Sequence, residues 1–431
     1  MKKLFCFLGT GRYLETMYQN ADYVMASKFT QEYLINYYAT IKQDPFGEIV
    51  VFATEESKAK NGQAFEEILG EMPIKWVYYD ESFGEKPWLL FEKIDSHMAP
   101  GDSIVFDVTH GFRSIPLISL VSSELAMLFN ENMNIEAVYY GNFKGEGELS
   151  PFVDLTSILE LQEWSNAVRS LKQTGNPSLL VELDTKQKKD HTEMQKIANN
   201  PLSKDLLRMF GLGNAVQKLT KSIAFCRLHD VKDSWLLTKA AIDKIESSSS
   251  EKSYPYIKIK EQLSFIFDDF QQAKSNADYY GAAVKWCVRY GLYQQSITLM
   301  LESVITVFCE RFEVKKNSRN NRYAVSLLLK YEDIKKDRKG DLAAFVKSLD
   351  AAVGKSELKE SDKERIAAII LENQVFFNNT YNNLNNYRNN FNHAGTNEHV
   401  IGEAKLEAFI KEHYQDVIDF EREFALVGAG R

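Results

Sequence analysis

The chain has 431 residues, of which 44% are hydrophobic and 26% charged, with a formal net charge of −8. Such a chain folds into two or three domains with sizeable cores. A surface this acidic excludes a protein that coats nucleic acid over its whole face, so any RNA contact must be local.

The N-terminal Met-Lys-Lys precedes an apolar run that stops at Gly9, too short for the core of a secretory signal, and it reads as a first strand. From residue 1 to about 155, β-rich apolar runs alternate with helical patterns. The runs are residues 3–8, Glu48 to Thr54, Ile74 to Tyr79, Ser103 to Val108 and Ile135 to Tyr140; helices are expected near 29–42, 56–70, 86–98 and 114–130. Alternation of this kind predicts a mostly parallel, doubly wound sheet in a Rossmann-like α/β domain. Between Tyr13 and Ala26 no long helix fits and a short hairpin is expected; Phe152 to Leu155 reads as an added edge strand.

Two of the strands run into turns with the chemistry of an anion site. The first carries Gly9-Thr10-Gly11-Arg12-Tyr13; the second carries Asp107-Val108-Thr109-His110-Gly111-Phe112-Arg113, with an apolar helix from about Ser114. Glycines let backbone N–H groups approach a ligand, a helix start supplies partial positive charge, and Thr109 and Arg113 offer directed donors. Leu14 stands where a dinucleotide fingerprint needs its third glycine, and no P-loop occurs, so neither NAD nor a P-loop-held nucleotide is expected. The plainer alternative is that Asp107 ends a strand and caps a helix.

Beyond Thr156 the periodicity is helical, with breaks expected at Asn176-Pro177, Ser247 to Ser250 and the Lys-rich stretch near 335–340. Tyr290 to Phe308 is apolar almost all round and reads as a core or dimer helix. Lys315, Lys316, Arg319 and Arg322 form the best local basic cluster, although such a run is more often a solvated loop. The Asn-rich stretch from Asn378 to Asn392 contains poor helix formers. Phe376, Phe377, Tyr381, Leu384, Tyr387 and Phe391 nevertheless recur at helical intervals, which predicts a helix with one polar, phosphate-facing side. The four cysteines are scattered with no C-x-x-C pair, giving neither a zinc site nor a disulfide framework and suggesting a reducing, cytoplasmic compartment. No run is long enough to span a membrane.

That stretch ends in Tyr387-Arg388-Asn389-Asn390-Phe391-Asn392-His393. A guanidinium that binds phosphate in a fork and an imidazole that titrates near neutrality are what RNA cleavage needs when no metal takes part. At 100° per residue, five residues rotate by roughly 500°, which sets the two side chains about 140° apart on an ideal helix. Either the length of the arginine and an irregular helix end close that gap, or two copies of the segment share the site across a two-fold axis.

These segments together resemble the CRISPR-associated CARF-HEPN ribonucleases of type III systems; Gly9 to Tyr13, Asp107 to Ser114 and Arg388-Asn389 through His393 carry the likeness, which is weakest between about 175 and 280. The resemblance implies a CARF ligand-sensing domain over 1–174, a helical connector over 175–279 and an α-helical HEPN domain over 280–431. It implies a homodimer that binds a cyclic oligoadenylate, cyclic tetra-adenylate foremost, through Gly9, Thr10, Gly11, Arg12, Thr109, His110, Gly111 and Arg113. Arg388, Asn389 and His393 would then cleave single-stranded RNA without a metal or other cofactor, as part of antiviral defence. Asn389 matches the polar residue that usually follows the arginine of the HEPN motif. The rival expectations are a non-catalytic sensor acting through a partner, and a metal-dependent nuclease suggested only by the E-x-K spacing of Glu313 and Lys315. The other histidines (His97, His191, His229, His399 and His413) have no charged constellation around them in sequence.

Overall fold

The computed structural model describes residues 1–79, 87–110, 121, 124–194, 211–245, 254–330, 345, 356–392 and 401–426. The chain divides into two compact units, Met1–Gln162 and Glu163–Arg431. Among the described residues no helix is long and apolar enough to cross a membrane.

The first unit is built on an eight-stranded sheet of order β3-β2-β8-β7-β6-β1-β4-β5. Its strands are β1 (Lys2–Leu8), β2 (Thr16–Asn20), β3 (Tyr23–Ser27), β4 (Glu48–Ala53), β5 (Ile74–Tyr78), β6 (Ser103–Asp107), β7 (Asn134–Gly141) and β8 (Leu149–Asp154). β7, β6, β1, β4 and β5 are mutually parallel. The central strands are continuous apolar runs because both of their faces are covered. Leu4, Cys6, Leu8, Ile49, Val51 and Val105 face α1 (Thr30–Tyr37) and α2 (Glu55–Leu69), where Tyr33, Leu34, Phe65 and Leu69 complete one core. Phe5, Phe7, Val50, Phe52, Ile104 and Phe106 turn to the other face, against Ile94 of α3 (Pro87–Asp95) and Met98. Alternate residues of each strand thus feed two cores, as the period of a strand requires.

The expected hairpin is present as β2–β3, paired antiparallel. The strand expected at the edge from Phe152 is not at an edge. β8 lies between β7, to which it is antiparallel, and β2, to which it is parallel. The hairpin continues the sheet beyond it, so pairing distant in sequence overrides the local reading. The helix expected over 114–130 falls largely outside the described residues.

The remainder is helical. α4 (Thr156–Thr174) crosses the division between the units, and Gly175, at a φ of +70°, turns the chain into α5 (Ser178–Met194) at the expected Asn-Pro break. α6 (Leu212–Ala224), α7 (Leu228–Asp243), α8 (Tyr254–Ile266) and α9 (Asn276–Arg289) follow. α10 (Tyr293–Arg311) is the core helix of this unit, with twelve of its 19 residues buried. It packs against α9, α11 (Arg319–Leu328), α13 (Asn382–Asn392) and α14 (Glu403–Leu426); α12 (Glu360–Glu372) packs against α11. The breaks expected at 247–250 and 335–340 lie outside the described residues.

Candidate functional site

In the first unit, the strand order reverses between β1 and β6. After β1 the chain forms the β2–β3 hairpin at the far edge of the sheet, then adds β4 and β5 on one side of β1 and β6 and β7 on the other. Ligands of open parallel sheets bind at the carboxyl ends of strands at such a point. Gly9 follows β1 there, and Thr109 and His110 follow β6.

The glycine turn is fastened from below. The Gly9 N–H donates to the Tyr13 hydroxyl (2.8 Å), and the Asn61 amide of α2 donates to the Gly9 and Gly11 carbonyls (2.9 and 3.1 Å). Tyr13 packs between Phe29 and His110, at ring-centroid separations of 4.6 and 4.7 Å. Burial raises its phenol pKa, so the hydroxyl remains neutral. Thr10, Gly11 and Arg12 are left exposed.

Asp107 is fully buried and accepts four hydrogen bonds. The Thr30 hydroxyl and Gln31 amide reach one oxygen (2.6 and 2.8 Å), and the Thr109 N–H and hydroxyl reach the other (3.0 and 2.5 Å). The Thr109 oxygen in turn accepts from the Gly141 N–H (2.8 Å). A Cβ on Gly141 would stand 2.5 Å from the Thr30 methyl, so only glycine lets α1 approach this strand end. Thr109's hydroxyl proton is therefore committed to Asp107, and the residue fixes the turn instead of presenting that donor outward. His110 has a buried Nε2 with no partner among the described residues. Burial lowers its imidazole pKa, with the opposing field of Asp107 the weaker influence, and the ring is neutral at pH 7. Gly111 and Arg113 lie outside the described residues.

In the second unit, the Asn-rich stretch is helical, as its aromatic spacing predicts. A π-helical turn, Phe377–Tyr381, leads into α13. Phe377, Tyr381 and Leu384 are buried, and Tyr387 packs on Phe409 at 4.2 Å, so packing outweighs the poor helix propensity of asparagine. His413 meets the Asp416 carboxylate (2.8 Å) and the Thr380 hydroxyl (3.3 Å), both through Nδ1. Asp416 is its i+3 neighbour on α14, whereas the contact with Thr380 is not apparent in the sequence. A relay would need its two partners on opposite ring nitrogens, so this histidine pins the π turn to α14.

Arg388 opens into a cleft of about 310 Å³. Among the described residues, four cations line it, Arg319, Arg322, Lys330 and Arg388, against one carboxylate, Glu302; Leu301, Ile305, Tyr323 and Tyr381 supply apolar wall. Arg322 is held at both ends of its guanidinium. It donates to the Glu302 carboxylate (2.5 Å) and carbonyl (3.2 Å), the Thr306 hydroxyl (2.9 Å) and the Lys316 carbonyl (3.0 Å). Among the described residues, Arg388 donates only to the Asn389 side-chain oxygen (3.3 Å), and its buried Nε has no partner. Among the described residues, no carboxylate pairs with Arg388, Arg319 or Lys330. Asn389 thus orients the guanidinium, while its neighbour Asn390 is buried and accepts from the Ile401 N–H (3.3 Å). His393 lies outside the described residues.

The basic run that resembles a solvated loop in sequence is in part a helix. Ser318 caps α11, Arg319 and Arg322 project from it into the Arg388 cleft, and Lys315 and Lys316 pair with Glu357 and Glu310. Sequence reasoning passed over Glu302, Tyr323, Asn385 and Lys330. The spacing of Arg319, Tyr323 and Ser326, which puts these three on one face of α11, with Lys330 two residues past its end, is the signal that was available. Glu313, of the E-x-K pair, adopts a left-handed backbone (φ +54°) where α10 ends.

No protein-family model matches the chain. It is similar to a CRISPR-associated protein of Methanocaldococcus jannaschii, 27% identical over 195 residues, which cover 44% of this chain and 29% of that protein. The match therefore spans less than a third of the relative's length.

Proposed function

We propose that this protein is a CRISPR-associated, metal-independent endoribonuclease, activated when its first unit binds a cyclic oligoadenylate. The relative's description supports the CRISPR setting. The observation that carries the ribonuclease reading is Arg388, whose guanidinium faces a cationic cleft with no carboxylate partner among the described residues, five positions before His393. In this reading the 2′-oxygen of single-stranded RNA attacks the adjacent phosphorus and gives up its proton. The P–O5′ bond breaks, the 5′-oxygen takes a proton, and a 2′,3′-cyclic phosphate remains. His393 moves a proton, and Arg388 stabilises the charge that builds on the pentacoordinate phosphorus. DNA, lacking the attacking hydroxyl, is not cut.

At the sheet edge, Gly9, Thr10, Gly11 and Arg12 with Thr109 and His110 frame the ring; the resemblance adds Gly111 and Arg113, which lie outside the described residues. Cyclic tetra-adenylate is the leading candidate, and a two-fold ring suits a homodimer. Activation requires that the ring bind the active arrangement more tightly than the resting one.

The test is cleavage of a fluorescent single-stranded RNA in excess EDTA, with cyclic tri-, tetra- and hexa-adenylate added separately. Cutting that depends on one ring and disappears in Arg388→Ala/His393→Ala is expected. Measurable ring binding with no cutting under any condition would overturn the ribonuclease and leave a sensor whose output lies in another protein. Light scattering that gave a monomer at micromolar concentration, with and without ring, would overturn the homodimer.

A further inference from the structure

The cleft extends beyond what Arg388 alone requires. Arg319, Tyr323, Ser326 and Lys330 line it from one side. Arg319, Tyr323 and Ser326, spaced by four and three residues, stack along one face of α11, and Lys330 follows two residues past its end. Arg319 and Lys330 make no ion pair among the described residues, whereas Arg322, on the same helix, is fully engaged by Glu302, Thr306 and backbone carbonyls. Tyr323 is 49% exposed although it is a large ring on a well-packed helix. Unpaired cations beside an exposed aromatic ring in a concave surface form the combination that holds single-stranded nucleic acid, with charge on the backbone and the ring under a base.

We infer that this face is a nucleotide subsite flanking the scissile phosphate. Tyr323 stacks on one base, and Arg319 and Lys330 bind the phosphates next to the one held by Arg388. The inference rests on the ribonuclease reading for the identity of the polymer. Arg322 has a different part: paired to Glu302, it is a fixed wall and a positioning residue, not a ligand for phosphate. The subsite selects single strands, because a base inside a duplex cannot reach Tyr323, and it is tolerant of sequence, because every base has a face to stack.

The experiment uses the full-length protein and a 2′-O-methyl single-stranded oligoribonucleotide, which cannot be cleaved. Binding is followed by fluorescence anisotropy across a salt series, with and without cyclic tetra-adenylate. Each lost phosphate contact lowers the slope of log K against log salt by about 0.7 for a single strand. Arg319→Gln/Lys330→Gln should therefore reduce the slope by roughly 1.4. Tyr323→Ala should weaken binding about tenfold with the slope unchanged, and Tyr323→Phe should restore it. In cleavage, these variants should raise KM and leave kcat within about twofold, since they touch no reacting atom. Unchanged affinity and slope in the double glutamine variant would overturn the subsite, as would equal binding of a duplex of the same sequence. Failure of the ribonuclease reading is separately visible, as measurable ring binding with no cleavage by the wild type; cleavage that survives Arg388→Ala/His393→Ala would overturn only the catalytic pair.

Discussion

The sheet edge of the first unit and the cleft of the helical unit use polar residues in opposite ways. At the edge, most described polar groups near the turns have a partner within the protein, His110 Nε2 and Gln31 Oε1 excepted. Asp107 accepts four hydrogen bonds, Thr109 donates to it and accepts from Gly141, and Asn61 and Tyr13 hold the glycine turn. What faces outward is Thr10, Arg12 and the exposed backbone. In the cleft, only Arg322 is satisfied, and three further cations stand near one another without a carboxylate among the described residues. Like charges held together oppose folding, and such strain persists where a ligand relieves it. The edge is a frame whose residues support stability; the cleft is a concentration of charge, and in the proposed reading its residues serve binding.

The sharpest way to break that contrast is at Arg388. Arg388→Ala or His393→Ala should lower RNA cleavage by at least about 10²-fold. Arg388→Lys should not recover it, because an ammonium lacks the fork. The thermal midpoint of Arg388→Ala should hold or rise, since a repelling cation is removed. A fall in midpoint parallel to the loss of cleavage would make Arg388 a structural residue and dissolve the distinction.

Asp107 tests the frame from the other side. Asp107→Ala strips four donors of their acceptor inside the protein and should cost about 3 kcal/mol or more of stability. Asp107→Asn, which keeps an acceptor oxygen, should lose less. Denaturant unfolding of the full chain measures both, with the transition of the first unit moving while the helical unit holds its midpoint. A loss of ring binding with no change in that transition would mean that the carboxylate meets the ligand and is not part of a frame.

The helical unit also contains one buried group that titrates within the working range. Glu421 is fully buried, one oxygen accepts from the Ser303 hydroxyl, the other has no partner among the described residues, and burial pushes its pKa up to about 8. The unfolded chain releases this proton in the usual glutamate range, near ~4.3. Between that range and about 8 the folded state holds the extra proton, so stability falls as pH rises and levels off above about 8. Glu421→Gln mimics the protonated side chain. It should flatten that slope, match the wild type near pH 4 and exceed it at pH 8.5 by roughly a few kcal/mol. Denaturation midpoints of the two proteins across this pH range decide the matter; parallel profiles would rule out Glu421 as the source.

Features carried by short-range pattern were legible in the sequence. The apolar runs of β1, β4 and β6 and the aromatic spacing of Phe377 to Tyr387 state which faces are buried, and the corresponding strands and helix follow. Pairing and partnership between distant residues were not. Nothing near Phe152 says that β8 is flanked on both sides, since its second neighbour is the hairpin more than 120 residues earlier. Nothing near Gly9 points to Asn61, and Asp107 does not announce Thr30 and Gln31. The basic run around Arg319 was visible as charge, but whether a lysine is balanced by a carboxylate depends on Glu310 and Glu357, which only the fold brings near.

The smallest expected effect is the most informative about the sheet edge. Tyr13→Phe removes one oxygen, the acceptor of the Gly9 N–H, and leaves the ring between Phe29 and His110. The hydroxyl is neutral, so a single uncharged hydrogen bond is lost, worth about 1 kcal/mol. A frame residue would pass that cost to ring binding only through a loosened turn, which predicts affinity for cyclic tetra-adenylate lowered by roughly fivefold, in step with the stability change. Calorimetric titration beside a denaturation curve separates the possibilities. Affinity lost far beyond the stability change would place the Tyr13 hydroxyl in contact with the ligand, and the sheet edge would then resemble the cleft in keeping a donor for its guest.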